Sequence, residues 1–133
     1  MIASGYGWRR DPWTGARRFH PGVDLPARRG SPVRAFAQGL VSSVLRHHAA
    51  GLTVQITTSD GAHHVYAHLQ CAAVRSGDVV HEGQVLGQVG SSGRSTGPHL
   101  HFGVQIQGRW VDPTHFVRRR AHLHPQRGSY HVR

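Results

Sequence analysis

From His99 to Ile106 the chain alternates, with Leu100, Phe102, Val104 and Ile106 apolar and His99, His101, Gly103 and Gln105 between them. A period of two predicts a half-buried strand that turns its apolar set to the core and sets two imidazoles side by side on the other face. The same period recurs at Leu52, Val54 and Ile56, separated by Thr53, Gln55 and Thr57. After the Ser59-Asp60-Gly61 turn, a partner strand is expected to carry His64, Tyr66 and His68 on one face, so that His68 joins a site facing the same way. Turn signals recur throughout, with 17 glycines and 7 prolines, and no long apolar stripe of period 3.6 appears. The pattern predicts an all-β fold, a single compact domain of antiparallel sheets with long loops around an open groove, and 133 residues suit one such unit.

Candidate chemistry changes the picture at His20-Pro-Gly-Val-Asp24. Pro21 and Gly22 argue against a helix, and in an extended segment the even spacing puts His20 and Asp24 on one face with Gly22 leaving room between them. Zinc takes nitrogen and carboxylate ligands, and a catalytic site keeps three protein ligands with a fourth position for water. His20, Asp24 and one histidine of the His99/His101 pair make up such a set. The glycine-rich run from Gly90 to His99 feeds directly into the histidine strand, as the wall of a cleft or as a plain hairpin connection. A second His-x-His pair, His122 and His124, follows Arg118-Arg-Arg120 in a basic stretch without strand pattern and reads as solvated.

Seven segments in order resemble the lysostaphin/LytM-type zinc endopeptidases, which cut peptidoglycan cross-bridges or stem peptides. They are Ser4-Gly-Tyr-Gly-Trp-Arg9, His20-Pro-Gly-Val-Asp24, Gly30-Ser-Pro-Val-Arg-Ala35, Tyr66-Ala-His-Leu69, Gly83-Gln-Val-Leu-Gly87, Ser95-Thr-Gly-Pro-His-Leu-His-Phe102 and Val111-Asp-Pro113. The resemblance covers Ser4 to about Phe116. It implies that His20, Asp24 and His101 bind one Zn2+, and that His99 and His68 flank the bound water and the scissile carbonyl as catalytic residues. It implies the same β-rich core. Gly103 departs from it, since many relatives carry an acidic residue there. The expected mechanism uses zinc-bound water as nucleophile, with His99 as general base and His68 supporting the oxyanion or passing a proton to the leaving amine. Tyr66 and Ser95 are candidate substrate contacts, and Arg9 and Arg94, with Arg17 and Arg18 behind them, are candidates for substrate carboxylates. Each also has a plainer reading as packing, turn or solvated charge.

A net charge of +10 and an isoelectric point near 11.7 raise nucleic-acid binding as a different class of function. The arginines run from Arg9 to Arg133 without a recognition-helix pattern, and one cysteine excludes a Cys/His finger. No specific nucleic-acid partner is therefore expected, and the charge reads as attraction to anionic cell-wall polymers beside the peptidoglycan peptides themselves. A non-catalytic wall-binding regulator of other hydrolases is the alternative function; it should lack one of His20, Asp24 or His101, and this chain has all three. Cys71 is expected to be a small buried hydrophobe. The expected division is a peptidase domain over 1–116 and a basic Arg/His-rich tail over 117–133. With no signal-peptide stretch and no membrane span, a monomer acting at the bacterial cell wall or periplasm is expected, either trimmed from a secreted precursor or delivered as a phage lysin.

Overall fold

A computed structural model describes residues 5–10, 15–93 and 97–123. Its strands are β1 (Gly7–Arg10), β2 (Arg17–His20), β3 (Val23–Pro26), β4 (Pro32–Arg34), β5 (Gly39–His47), β6 (Gly51–Thr57), β7 (His63–Ala72), β8 (Val79–Val80), β9 (Val85–Val89), β10 (His99–Ile106) and β11 (Arg109–Val111), followed by the helix α1 (Thr114–Leu123). All pairings are antiparallel, as the alternation predicts. β1 and β2 form a separate hairpin, while the main sheet runs β11-β10-β7-β6-β5-β8, with β3 on β10 and β9 joining β4 to β7.

The core lies on one face of this sheet. Leu100, Phe102 and Val104 of β10 are fully buried with Val54 and Ile56 of β6, and Phe36 packs its ring 4.4 Å from that of Phe102. Each large side chain so buried contributes about 1.5–3 kcal/mol. Ile106, the last apolar residue of the β10 pattern, is 40% exposed at the strand end.

Three expectations are corrected by packing. His64 and Tyr66 do not share a face with His68: they lie opposite Val104 and Phe102 on the core face. Cys71 is exposed, because beyond Leu69 β7 has exchanged β10 for β9 as its neighbour. The boundary expected between Phe116 and Val117 falls inside α1, and Val117 is fully buried in the core. Asp112 explains where this unanticipated helix starts. Its carboxylate accepts the N–H of Thr114, the first residue of α1, at 2.9 Å, with Pro113 between them. Among the described residues, no helix is long and apolar enough to cross a membrane.

Candidate metal centre

Asp24 and His101 face each other directly across β3 and β10, so the strand register alone brings a carboxylate against an imidazole. His101 Nδ1 lies 2.8 Å from Asp24 Oδ1. His20 arrives from elsewhere. It ends β2, in the separate hairpin, and the Pro21-Gly22 link carries the chain into β3. Its Nε2 lies 3.5 Å from Asp24 Oδ2. Gly22 is required by contact rather than by conformation: a Cβ there would stand 2.5 Å from the Phe102 carbonyl oxygen and 2.9 Å from the His101 ring.

Donor atoms of His20, Asp24 and His101 all lie within 4.8 Å of one another. Tetrahedral zinc with ligands at about 2.0–2.2 Å separates neighbouring ligand atoms by roughly 3.3–3.6 Å, close to the His20–Asp24 spacing. Tautomer control also suits a metal. His20 donates its Nδ1–H to the Gly5 carbonyl at 2.7 Å, which leaves Nε2 as the lone-pair nitrogen turned to the carboxylate. Burial raises the Asp24 carboxyl, but hydrogen bonds and charge from His101 and His20 outweigh it and hold the group well below the ordinary carboxylate range. The donor set therefore presents an anion and two imidazole nitrogens to one point, which fits zinc.

Two further imidazoles border this set. His99 stands two residues before His101 on the same face, with Nε2 3.7 Å from Asp24 Oδ1, and donates its Nδ1–H to the Gly97 carbonyl at 2.8 Å. His68 donates its Nδ1–H to the Ser92 carbonyl at 2.7 Å, and its ring centroid lies 5.0 Å from that of His99. His68 reaches this side by an irregularity that alternation hides. At the register shift between β6 and β7, Thr53 alone stands against Ala67 and His68, and His68 takes a φ of 64°. The bulge turns His68 away from the face of Tyr66. Burial lowers the His68 pKa, with His99 and His101 adding to the effect and the Ser92 hydrogen bond and the Asp24 charge opposing it.

The other candidates fall out differently. Tyr66, expected as a substrate contact, is a core residue: its side chain is fully buried, and its hydroxyl accepts the Phe36 N–H at 2.9 Å. Arg94 and Ser95 lie outside the described residues, as does the side chain of Arg9. Arg17 sits over the exposed Trp8 ring, 5.6 Å from its centroid. At Gly103 the room a side chain would need is taken, with Trp110 Cζ3 2.9 Å and the Pro21 carbonyl 3.0 Å from where a Cβ would be. Sequence reasoning missed the three carbonyls of Gly5, Ser92 and Gly97. Backbone acceptors leave no mark in residue identity, although Gly90-Ser-Ser-Gly93 signals that the chain makes a tight approach there.

Comparison with known proteins places this geometry. Residues 18–113 match the description Peptidase family M23. The chain is 42% identical over 112 residues to the DD-carboxypeptidase/endopeptidase Mpg of Neisseria meningitidis serogroup B, covering 84% of this chain and 26% of that protein. It thus spans about a quarter of the length of the curated relatives it matches. Among solved structures, the catalytic domain of the antimicrobial peptidase lysostaphin from Staphylococcus simulans superposes with a TM-score of 0.80 at 31% identity, covering 89% of this chain and 92% of that one. A zinc-containing peptidase from Vibrio cholerae gives 0.79 at 37% identity, covering 84% and 35%.

Proposed function

Since the chain belongs to peptidase family M23, whose members are zinc-dependent, we propose that it is the catalytic domain of an endopeptidase that hydrolyses peptide bonds of bacterial peptidoglycan. The observation that carries the reading is the convergence of three ligand-type donors with two more imidazoles whose Nδ1 protons are engaged by carbonyls. His20, Asp24 and His101 would hold the ion. When bound, zinc supplies Lewis acidity, polarising a carbonyl and lowering the pKa of water toward about 7.

The remaining chemistry belongs to His99 and His68. Because each ring gives its Nδ1–H to a backbone carbonyl, each neutral ring presents Nε2 as an acceptor and donates only after it has taken a proton. Hydrolysis of an amide to a carboxylate and an ammonium moves both protons of water to the leaving nitrogen. Two acceptor imidazoles serve those two transfers, with His99 as the general base and His68 as the relay to the amine. Of the two roles expected for His68, support of the oxyanion and proton transfer to the leaving amine, we propose the second, because its Nδ1–H is already engaged by the Ser92 carbonyl.

The Neisseria relative and the Vibrio relatives named peptidoglycan DD-endopeptidases support wall peptide as the substrate class. The basic surface adds attraction to anionic wall polymers, so adsorption should weaken with salt. We place the action at the cell wall, with the domain monomeric. The test is digestion of purified peptidoglycan of two wall types by zinc-loaded and chelator-stripped protein, with mass analysis of released peptides. New amine termini that appear only with metal establish the endopeptidase and its bond; adsorption with bound zinc and no release from either wall supports the regulatory binder instead.

A further inference from the structure

His68 is held in an unusual position from several sides, and the tie to its ring comes from Ser92. Its backbone N–H donates to Ala50 at 2.9 Å, its carbonyl accepts from Gly90 at 3.2 Å, and its ring donates to the Ser92 carbonyl at 2.7 Å. Ser92 is itself fixed through its side chain. The hydroxyl accepts the N–H of Leu52 at 3.1 Å and donates to the carbonyl of Leu69 at 2.7 Å. Leu52 and Leu69 are register partners across β6 and β7, at the edge of the bulge that contains His68. One hydroxyl therefore bridges the two strands where their register slips, and the carbonyl of the same residue orients the imidazole that the slip has turned outward.

Packing around Ser92 leaves that arrangement little freedom. Gly51, at a φ of +68°, approaches Ser92 so closely that a Cβ would lie 2.5–2.6 Å from its carbonyl carbon and oxygen. A Cβ on Gly93 would collide with the Ala49 carbonyl. The turn between β5 and β6 and the segment leading to His99 are thus pressed together at this residue.

We propose that Ser92 is a positioning residue: its hydroxyl pins the bulge between β6 and β7 so that its carbonyl fixes His68 in the Nδ1–H tautomer, with Nε2 directed to the metal centre. The inference rests on the proposed hydrolytic function for its kinetic consequence only. Without the hydroxyl, the bridge between Leu52 and Leu69 opens, the carbonyl is no longer fixed beneath the ring, and the tautomer is no longer unique.

The experiment compares wild type, Ser92→Ala and Ser92→Thr as zinc-loaded full chains. Imidazole 15N shifts are read at one pH, with the His68 signals assigned from a His68→Asn variant. Zinc affinity, and kcat and KM on a soluble cross-linked wall peptide, are measured in parallel. Ser92→Ala should convert the His68 ring from one tautomer to a mixture and lower kcat by about tenfold or more, with KM and zinc affinity within about twofold, and Ser92→Thr should restore both ring signals and kcat. Wild-type ring shifts in Ser92→Ala overturn the proposal, as does a loss of zinc equal to the loss of kcat, which would make Ser92 a general support of the site. If wild type cleaves no peptide, the hydrolytic reading fails, and the ring shifts still decide the role of Ser92.

Discussion

Replacing Gly22 by alanine adds one methyl group at the point where the fold and the donor set are most tightly joined. The methyl carbon would stand 2.5 Å from the Phe102 carbonyl oxygen and 2.9 Å from Cε1 and Nε2 of His101, where comfortable contacts between carbon atoms lie at about 3.5–4.0 Å. Roughly 0.6–1 Å must therefore be opened. The carbonyl belongs to β10, whose Phe102 side chain is fixed in the core, so the sheet resists on that side. The His101 ring is the yielding partner, and turning it draws Nδ1 away from Asp24. Overpacking of this kind costs about 1–3 kcal/mol. If the cost falls on the donor set, zinc affinity drops by about 5- to 150-fold, since about 1.4 kcal/mol is tenfold. Any part borne by the fold lowers the melting temperature of the metal-free protein by about 4 °C for each kcal/mol. Competition with a calibrated chelator reads the first quantity and thermal unfolding with and without zinc the second. Zinc affinity within twofold of wild type, together with an unchanged melting temperature, would refute the steric argument.

Other perturbations separate the roles of neighbouring residues. His101→Ala should remove zinc and activity together, whereas His99→Ala should keep stoichiometric zinc while turnover falls by about a hundredfold; metal analysis beside peptide release distinguishes them, and equal metal loss in both variants contradicts the assignment. His64, whose Nδ1 is buried without a hydrogen-bond partner among the described residues, packs edge-on against Phe102 and Phe116, and burial pushes its pKa down to about 4. Between about pH 6.5 and pH 4 the unfolded chain then binds a proton that the folded chain does not, so stability falls with falling pH across that window, by up to about 3 kcal/mol. His64→Phe should remove most of that slope in denaturant titrations at pH 7 and pH 4.5. Tyr66→Phe should lower stability by about 0.5–1.5 kcal/mol through the lost hydrogen bond to Phe36, and leave kcat/KM unchanged because the hydroxyl faces the core.

Arginine at 17 illustrates how charge is used locally. Its position over Trp8 is a cation–π contact at the exposed face of the hairpin, where Trp8 also meets the Phe19 ring edge-on at 5.6 Å. Phe19 meets Tyr6 in the same way, and the Tyr6 hydroxyl donates to the Trp110 carbonyl at 3.1 Å. This chain of contacts ties the small hairpin that carries His20 to the edge strand β11 of the main sheet.

Residue order determined much of this protein by itself. The alternation through β10 fixed which side of the strand holds His99 and His101, because a period of two leaves only one way to bury Leu100, Phe102 and Val104. The donor types at 20, 24, 99 and 101 identified the chemistry, and the ordered motifs identified the family. What alternation could not reveal is where it breaks. His68 reached the site through a left-handed residue at a register slip, and the same period that correctly placed Phe102 placed Tyr66 on the wrong face. The residue pattern left His99 and His101 open and the resemblance pointed to His101; the tertiary structure supplies the reason, since the neighbour of Asp24 is whichever residue stands opposite across two strands 77 positions apart in the chain. It also decided the tautomers, because the carbonyls of Gly5, Ser92 and Gly97 belong to the backbone, and only the folded path of the chain brings a backbone group to a particular ring.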